Sequence, residues 1–342
     1  MTAVTHVSYR TIRYARVITI VGLLIIGIVG MGFIALQLGT PYVAPAEMWN
    51  ILLHGEGERI VRVVVLQVRL PRLVLGGLVG AMLALTGVVL QDTLHNALAG
   101  PELLGVSAGA ALVMAAIIML NLPIAFVLQP WLALVGGFIS GSLLLQLAGR
   151  QARNSISLLL IGAALTTLLN AAIVTLMSLG SQTSVSLLFF FLMGSLANRT
   201  WEHVQLLTPW ALVGIPAVLL YARTLNVLRL GDDVAEGLGI AVVRTRLLLL
   251  GVSALLVAAV VAVCGPIGWV ALLAPHGARR LLGTSAAGQV LPVAALIGAL
   301  LLISADLLAR QALAPLELPS GIGTTLIGGP LLLLLLRRRL GG

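Results

Sequence analysis

Apolar stretches long enough to cross a bilayer recur along almost the whole of this chain, and nothing else in it limits the possible folds so tightly. Crossing the hydrocarbon layer takes roughly 17 to 25 apolar residues in a helix, and in lipid the backbone has to satisfy its own hydrogen bonds. Ten stretches meet or approach that length: 17–38, 70–91, 103–121, 127–148, 156–179, 203–222, 244–263, 265–283, 289–309 and 321–337. The composition agrees, with 60% hydrophobic and 9% charged residues and a mean hydropathy of +1.13, far from the usual globular mixture of about 25% charged. The chain therefore reads as one all-α polytopic membrane domain over residues 1–342. The eighth span is interrupted by Pro266 and Pro275. Residues 185–197 are apolar but too short to cross, and read as a short helix at the outer surface.

Charge gives the expected orientation. Val17 to Leu38 is a full crossing with no small-residue cleavage site before Gly39-Thr-Pro, which makes it a first helix rather than a signal peptide. Arg10, Arg13 and Arg16 precede it and assign the tail 1–16 to the cytoplasm by the positive-inside tendency. Ten crossings return Arg337, Arg338 and Arg339 to the same side. Arg150, Arg153, Arg223, Arg229, Arg244, Arg246, Arg279 and Arg280 then also fall inside, fourteen arginines in all, against six outside: Arg59, Arg62, Arg69, Arg72, Arg199 and Arg310. The formal net charge of +9 is a topology signal on this reading and calls for no nucleic acid.

Several chemistries lack their parts. The chain contains no lysine, so no G-x-x-x-x-G-K-[ST] loop for nucleotide phosphates can form. Cys264 is the single cysteine, which supports neither a disulfide nor a thiolate metal cluster. His6, His54, His95, His203 and His276 lack the i, i+4 spacing of a zinc-binding helix. No catalytic or metal-ligating residue is assigned.

Polar groups among the spans carry what remains. The segment 224–243 contains Leu230-Gly-Asp-Asp-Val-Ala-Glu-Gly-Leu-Gly239, an acidic, helix-sized island that has to stay out of lipid and so points to a partner in water. Arg69-Leu-Pro-Arg72 opens the second span, where Pro71 suits a first helical turn. Its two guanidiniums either anchor the helix end or receive carboxylates, which their planar fork fits. Arg310 follows Asp306 by four residues, the spacing of a pair on one helix face. Thr166, Thr167 and Asn170 in the fifth span either face a path or bond a neighbouring helix. Gly321, Gly323, Gly328 and Gly329 let the last helix bend or approach a partner closely.

In this order, the motifs resemble those of the FecCD-type permeases of iron–siderophore, heme and cobalamin importers. They are Arg69-Leu-Pro-Arg72, Thr86-Gly-x-x-x-Gln91, Asn96-Ala-Leu-Ala-Gly-Pro101, Leu103-Leu-Gly105, Met193-Gly-Ser-Leu196, Leu230 to Gly239, Arg244-Thr-Arg246, Gly265-Pro-Ile-Gly268, Ala274-Pro-His276, Glu317-Leu-Pro-Ser-Gly321 and Ile327-Gly-Gly-Pro330. Ala97 and Ser320 depart from the family's usual proline and valine. The resemblance implies a ten-helix permease fold in a bacterial cytoplasmic membrane, paired with a second, identical or related permease. It implies two ATP-binding subunits, which hold the ATP and Mg, so that this chain carries no cofactor. Leu230, Gly231, Asp232, Asp233, Glu236 and Gly239 are then the ATPase-coupling residues. Arg69, Arg72 and Arg310 would dock a substrate-binding protein, and Thr166, Asn170, Gly321 and Gly323 would line the path. The expected cargo is an iron chelate, with heme or cobalamin as the alternative. An ion-coupled secondary transporter is the competing class; it needs paired acidic groups at mid-membrane.

Overall fold

The computed structural model describes residues 3–149, 153–314 and 316–340, and the side chains of 3–15 and 334–340 lie outside that description. Arg10, Arg13, Arg150 and Arg337 to Arg339 therefore fall outside the described side chains. Every regular element among the described residues is helical. In chain order they are α1 (Ala3–Gln37), α2 (Pro45–His54), α3 (Arg59–Thr93), α4 (Val106–Met119), α5 (Gln129–Ala148), α6 (Ser155–Met177), α7 (Gln182–Leu192), α8 (Trp201–Leu220), α9 (Ala222–Leu228), α10 (Asp232–Gly237), α11 (Val242–Cys264), α12 (Val270–Leu282), α13 (Ala287–Ala312) and α14 (Ser320–Leu340).

Each of the ten expected spans falls on a helix, and among the described residues seven helices are long and apolar enough to cross a membrane. The third and eighth expected spans are shorter than their apolar runs, because α4 has 14 residues and α12 has 13. At 1.5 Å per residue these reach only about 20 Å, well short of the hydrocarbon thickness. Before α4 lies a 3-10 turn, Pro101–Leu104, ended by Gly105 at φ +67°. Before α12 the chain runs non-helical through Gly265-Pro-Ile-Gly268. Both stretches are apolar, and both are folded into the protein rather than wound into helix.

The second span also differs from its expected start. Arg69 and Pro71 do not open it; α3 begins at Arg59 and passes through a π-helical stretch, Val64–Arg69, into the α-helix that carries Pro71. The wider turn precedes Pro71, which has no N–H to donate to it. The tail 1–16 is in helix from Ala3, as an extension of α1. The short apolar segment forms α7 at 182–192, whereas 193–197 turns inward instead of continuing the expected helix.

α3 and α11 form the centre, each 72% buried over its most apolar window, while α1, at 6%, lies on the periphery. α3 crosses α13 at a glycine pair: a Cβ on Gly80 would stand 2.3 Å from the Gly298 carbonyl oxygen, and one on Gly298 equally close to Gly80. A side chain on either would force the backbones apart, the close contact that small residues allow between membrane helices. α6 is only 22% buried, with Ile156, Leu160, Leu168 and Val174 exposed along it.

Candidate functional site

At one end of the bundle, α9 and α10 project beyond the long helices and are fastened by charge. Gly231 (φ +108°) and Gly239 (φ +84°) bracket α10 in backbone conformations that favour glycine. Asp232 makes a two-point ion pair with Arg246 of α11, at 2.7 and 3.2 Å, and Arg246 also donates to the Arg153 carbonyl at 2.7 Å. Arg246 is fully buried, so Asp232 acts as a strut between α10 and α11. Arg153 reaches Asp233 (3.3 Å) and Glu236 (3.1 Å) at the surface. The expected acidic trio is thus paired within the chain.

The exposed face of this element is apolar instead. Leu230, Val234 and Leu238, spaced four apart, are 63, 48 and 63% exposed. Such a stripe outside the membrane-crossing helices has the form of a partner surface. Sequence reading included Leu230 but missed Val234 and Leu238, whose signal was the i, i+4, i+8 spacing inside an otherwise polar island.

A second knot ties this element to the core. Asp92, at the end of α3, accepts from Arg279 of α12 (2.9 Å) and pairs with Arg229 just after α9 (3.2 Å). Arg279 also donates to Gln91 at 2.6 Å. His95, at φ +50°, donates to the Leu228 carbonyl at 2.8 Å, and the Ala287 N–H bonds Asn226 at 2.7 Å. These contacts tie α9 and the residue after it to the ends of α3, α12 and α13.

The opposite end holds Arg69, Arg72 and Arg310 around one small cavity with Asp306. Of the two roles open to Arg69 and Arg72, the anchoring one is visible in this structure, because both are buried, at 5% and 6% exposure. Arg69 donates to the carbonyls of Leu36 (2.7 Å), Gln37 (3.1 Å) and Pro41 (2.6 Å), tying α3 to the end of α1. Arg72 is bidentate to Asp306 (2.8 and 2.9 Å) and donates to Glu317 at 2.8 Å. Ser320 donates to Asp306 at 2.5 Å and accepts the Leu196 N–H at 3.1 Å. The expected Asp306–Arg310 pair gives way to this arrangement, and Arg310 donates to the Ala35 carbonyl at 2.7 Å. Glu317, whose side chain is 46% exposed, is the acceptor of this knot most open to exchange.

Between the ends lies a cavity of about 430 Å³, walled by α3, α11, α14, the turn at 101–102, the start of α4, the end of α7 and the loop 266–268, with Gly321 and Thr325 in its lining. Thr166 donates to the Glu102 carbonyl at 3.0 Å, so it fastens the 3-10 turn instead of standing free in the path. Asn170 is on the exposed face of α6. Gly321 lines the cavity, whereas Gly323 packs on α13, where a Cβ would meet the Ala305 carbonyl oxygen at 2.4 Å. No cluster of three metal-type ligands occurs among the described residues.

Residues 18–338 match the FecCD transport family. The chain is 37% identical over 329 residues to the Fe(3+)-citrate import system permease protein YfmE of Bacillus subtilis (strain 168), covering 96% of this chain and 97% of that one. It is 39% identical over 302 residues to the cobalamin import system permease protein BtuC of Halobacterium salinarum, covering 88% and 80%. Among solved structures it is similar to "An inward-facing conformation of a putative metal-chelate type ABC transporter", with TM-score 0.84 and 30% identity over 94% of this chain and 99% of that chain.

Proposed function

We propose, for a chain that belongs to the FecCD transport family, that it is the membrane-spanning permease subunit of an ATP-driven importer whose cargo is an iron chelate. The observation that carries this reading is the lever at one end of the bundle. α10 presents Leu230, Val234 and Leu238 outward and is clamped from behind by the Asp232–Arg246 pair. A soluble ATPase that grips this apolar stripe can pull on α9, and through Arg229–Asp92–Arg279 on three core helices. Orientation by the arginine asymmetry puts that end in the cytoplasm. Two ATPases and a second permease complete the assembly, and the exposed length of α6 offers a surface for that permease.

At the outer end a binding protein delivers cargo. With Arg69 and Arg72 buried, docking through Arg72 requires an incoming carboxylate to displace Glu317. ATP binding then closes one gate and opens the other, and the hydrolytic chemistry stays in the partner. Cargo names among the relatives include ferric citrate and cobalamin; ferric citrate, in the first of them, supports the iron-chelate choice. The ion-coupled alternative needs paired acidic groups at mid-membrane, and Asp306 is instead consumed by Arg72 and Ser320.

The lever is tested by Val234→Asp with Leu238→Asp, two exposed positions whose replacement leaves internal packing intact. Loss of co-purification with the neighbouring ATPase, with membrane insertion unchanged, is the expected result. Unimpaired co-purification and uptake would remove the lever.

A further inference from the structure

Glu102 has an exposed side chain, yet its backbone is anchored further along the bundle than its place between two helices indicates. Its carbonyl accepts from Thr166, at the midpoint of α6, and the next carbonyl, that of Leu103, presses on Gly162, where a Cβ would come within 1.8 Å. Two residues further on, the Gly105 carbonyl accepts from Ser140, midway along α5, at 2.8 Å. Three contacts at the middles of two crossing helices put the turn 101–105 near half-depth of the bundle. The chain re-enters from the end marked by Asp92 and stops there, which is also why α4 is short.

At that depth the Glu102 side chain faces the 430 Å³ cavity, and it is the only ionisable residue in the lining. The carboxyl group folds back over Gly100, where a Cβ would stand 2.3 Å from Oε2. Neither an arginine nor a histidine among the described residues forms an ion pair with it. A carboxyl group at membrane depth is costly, and such groups mark ion or substrate pathways. The side chain is exposed, so its charge is partly screened, but with no ion-pair partner it still biases the potential felt by anything entering the cavity. We propose that Glu102 sets the charge preference of the cavity, favouring cargo that brings positive charge or N–H and O–H donors to it.

This rests on reading the cavity as part of the transport path, and it can be measured without a cargo. Ser107→Cys places a thiol in the same lining, while the native Cys264 is buried and serves as background. The probes are a cationic and an anionic methanethiosulfonate, applied to the reconstituted protein with Glu102 present and with Glu102→Gln. With Glu102 the ratio of cationic to anionic labelling rates should exceed that of a free thiol on the order of tenfold. Glu102→Gln should bring it back to the free-thiol value, and Glu102→Asp should keep most of it. A ratio that ignores Glu102→Gln, or a thiol that neither reagent reaches, overturns the proposal. Neither result bears on ATP-driven uptake, which is measured separately on the same preparations and whose absence would sink the path reading itself.

Discussion

Removing Asp232 should loosen the lever without unfolding the bundle. The carboxylate makes two charge-assisted bonds to Arg246, a side chain with no exposed surface. Such bonds contribute about 1.5 to 3 kcal/mol each, and stranding a fully buried partner costs about 3 to 5 kcal/mol. Asp232 itself is 21% exposed, water can replace part of what is lost, and the Arg153 carbonyl still holds Arg246. A loss of about 2 kcal/mol in the docking of α10 on α11 follows, close to a thirtyfold change in a local opening equilibrium. Hydrogen exchange reads it directly at the Leu238 and Ile240 amides, which bond the Val234 and Ala235 carbonyls in the intact element. Asp232→Ala should speed their exchange about thirtyfold while amides in the middle of α3 stay protected. Arg246→Ala also removes the bond to the Arg153 carbonyl and should act at least as strongly, and the double variant should be little worse than Arg246→Ala alone, because the Asp232–Arg246 pair is already gone. Additive effects would refute the strut, and unchanged exchange in Asp232→Ala would refute the magnitude.

Two further outcomes follow from the same geometry. Glu317→Gln weakens a half-exposed pair worth about 0.5 to 1 kcal/mol, so binding-protein affinity measured in detergent at low salt should rise about two- to fivefold; a fall would show that Glu317 itself contacts the partner. Gly162→Ala drives a methyl group into the Leu103 carbonyl, an overpacking of about 1 to 3 kcal/mol at the re-entrant turn, so uptake should fall sharply with normal insertion. Undiminished uptake would show that the turn need not hold its position.

The long crossings were legible because twenty apolar residues leave few alternatives in lipid, and all ten expected spans fall on helices. The ends of the third and eighth were not, since 103–105 and 265–269 are as apolar as a helix but are held by contacts from α5, α6 and α7. Local spacing misled at Asp306: its i, i+4 neighbour Arg310 was available, yet Arg72, 234 residues away, arrives with a better fork. Polarity marked the island 230–239 in the sequence, but not which of its side chains pair inside the chain. The acidic residues face the chain's own arginines, and the apolar ones face water. Glu102 escaped notice because its depth depends on where Thr166 and Ser140 meet the turn, which no periodicity encodes.

The central claim is that motion of a soluble ATPase drives transport through this chain. Its most direct test is uptake of a radioiron chelate into proteoliposomes holding the chain with its co-expressed genomic neighbours, binding protein outside, and ATP or an ion gradient supplied separately. Uptake that needs enclosed ATP and the binding protein, and that ceases in Val234→Asp with Leu238→Asp, is the predicted result. Uptake driven by a gradient with no ATPase present would contradict the account and turn attention to Glu102 as an ion-coupling group.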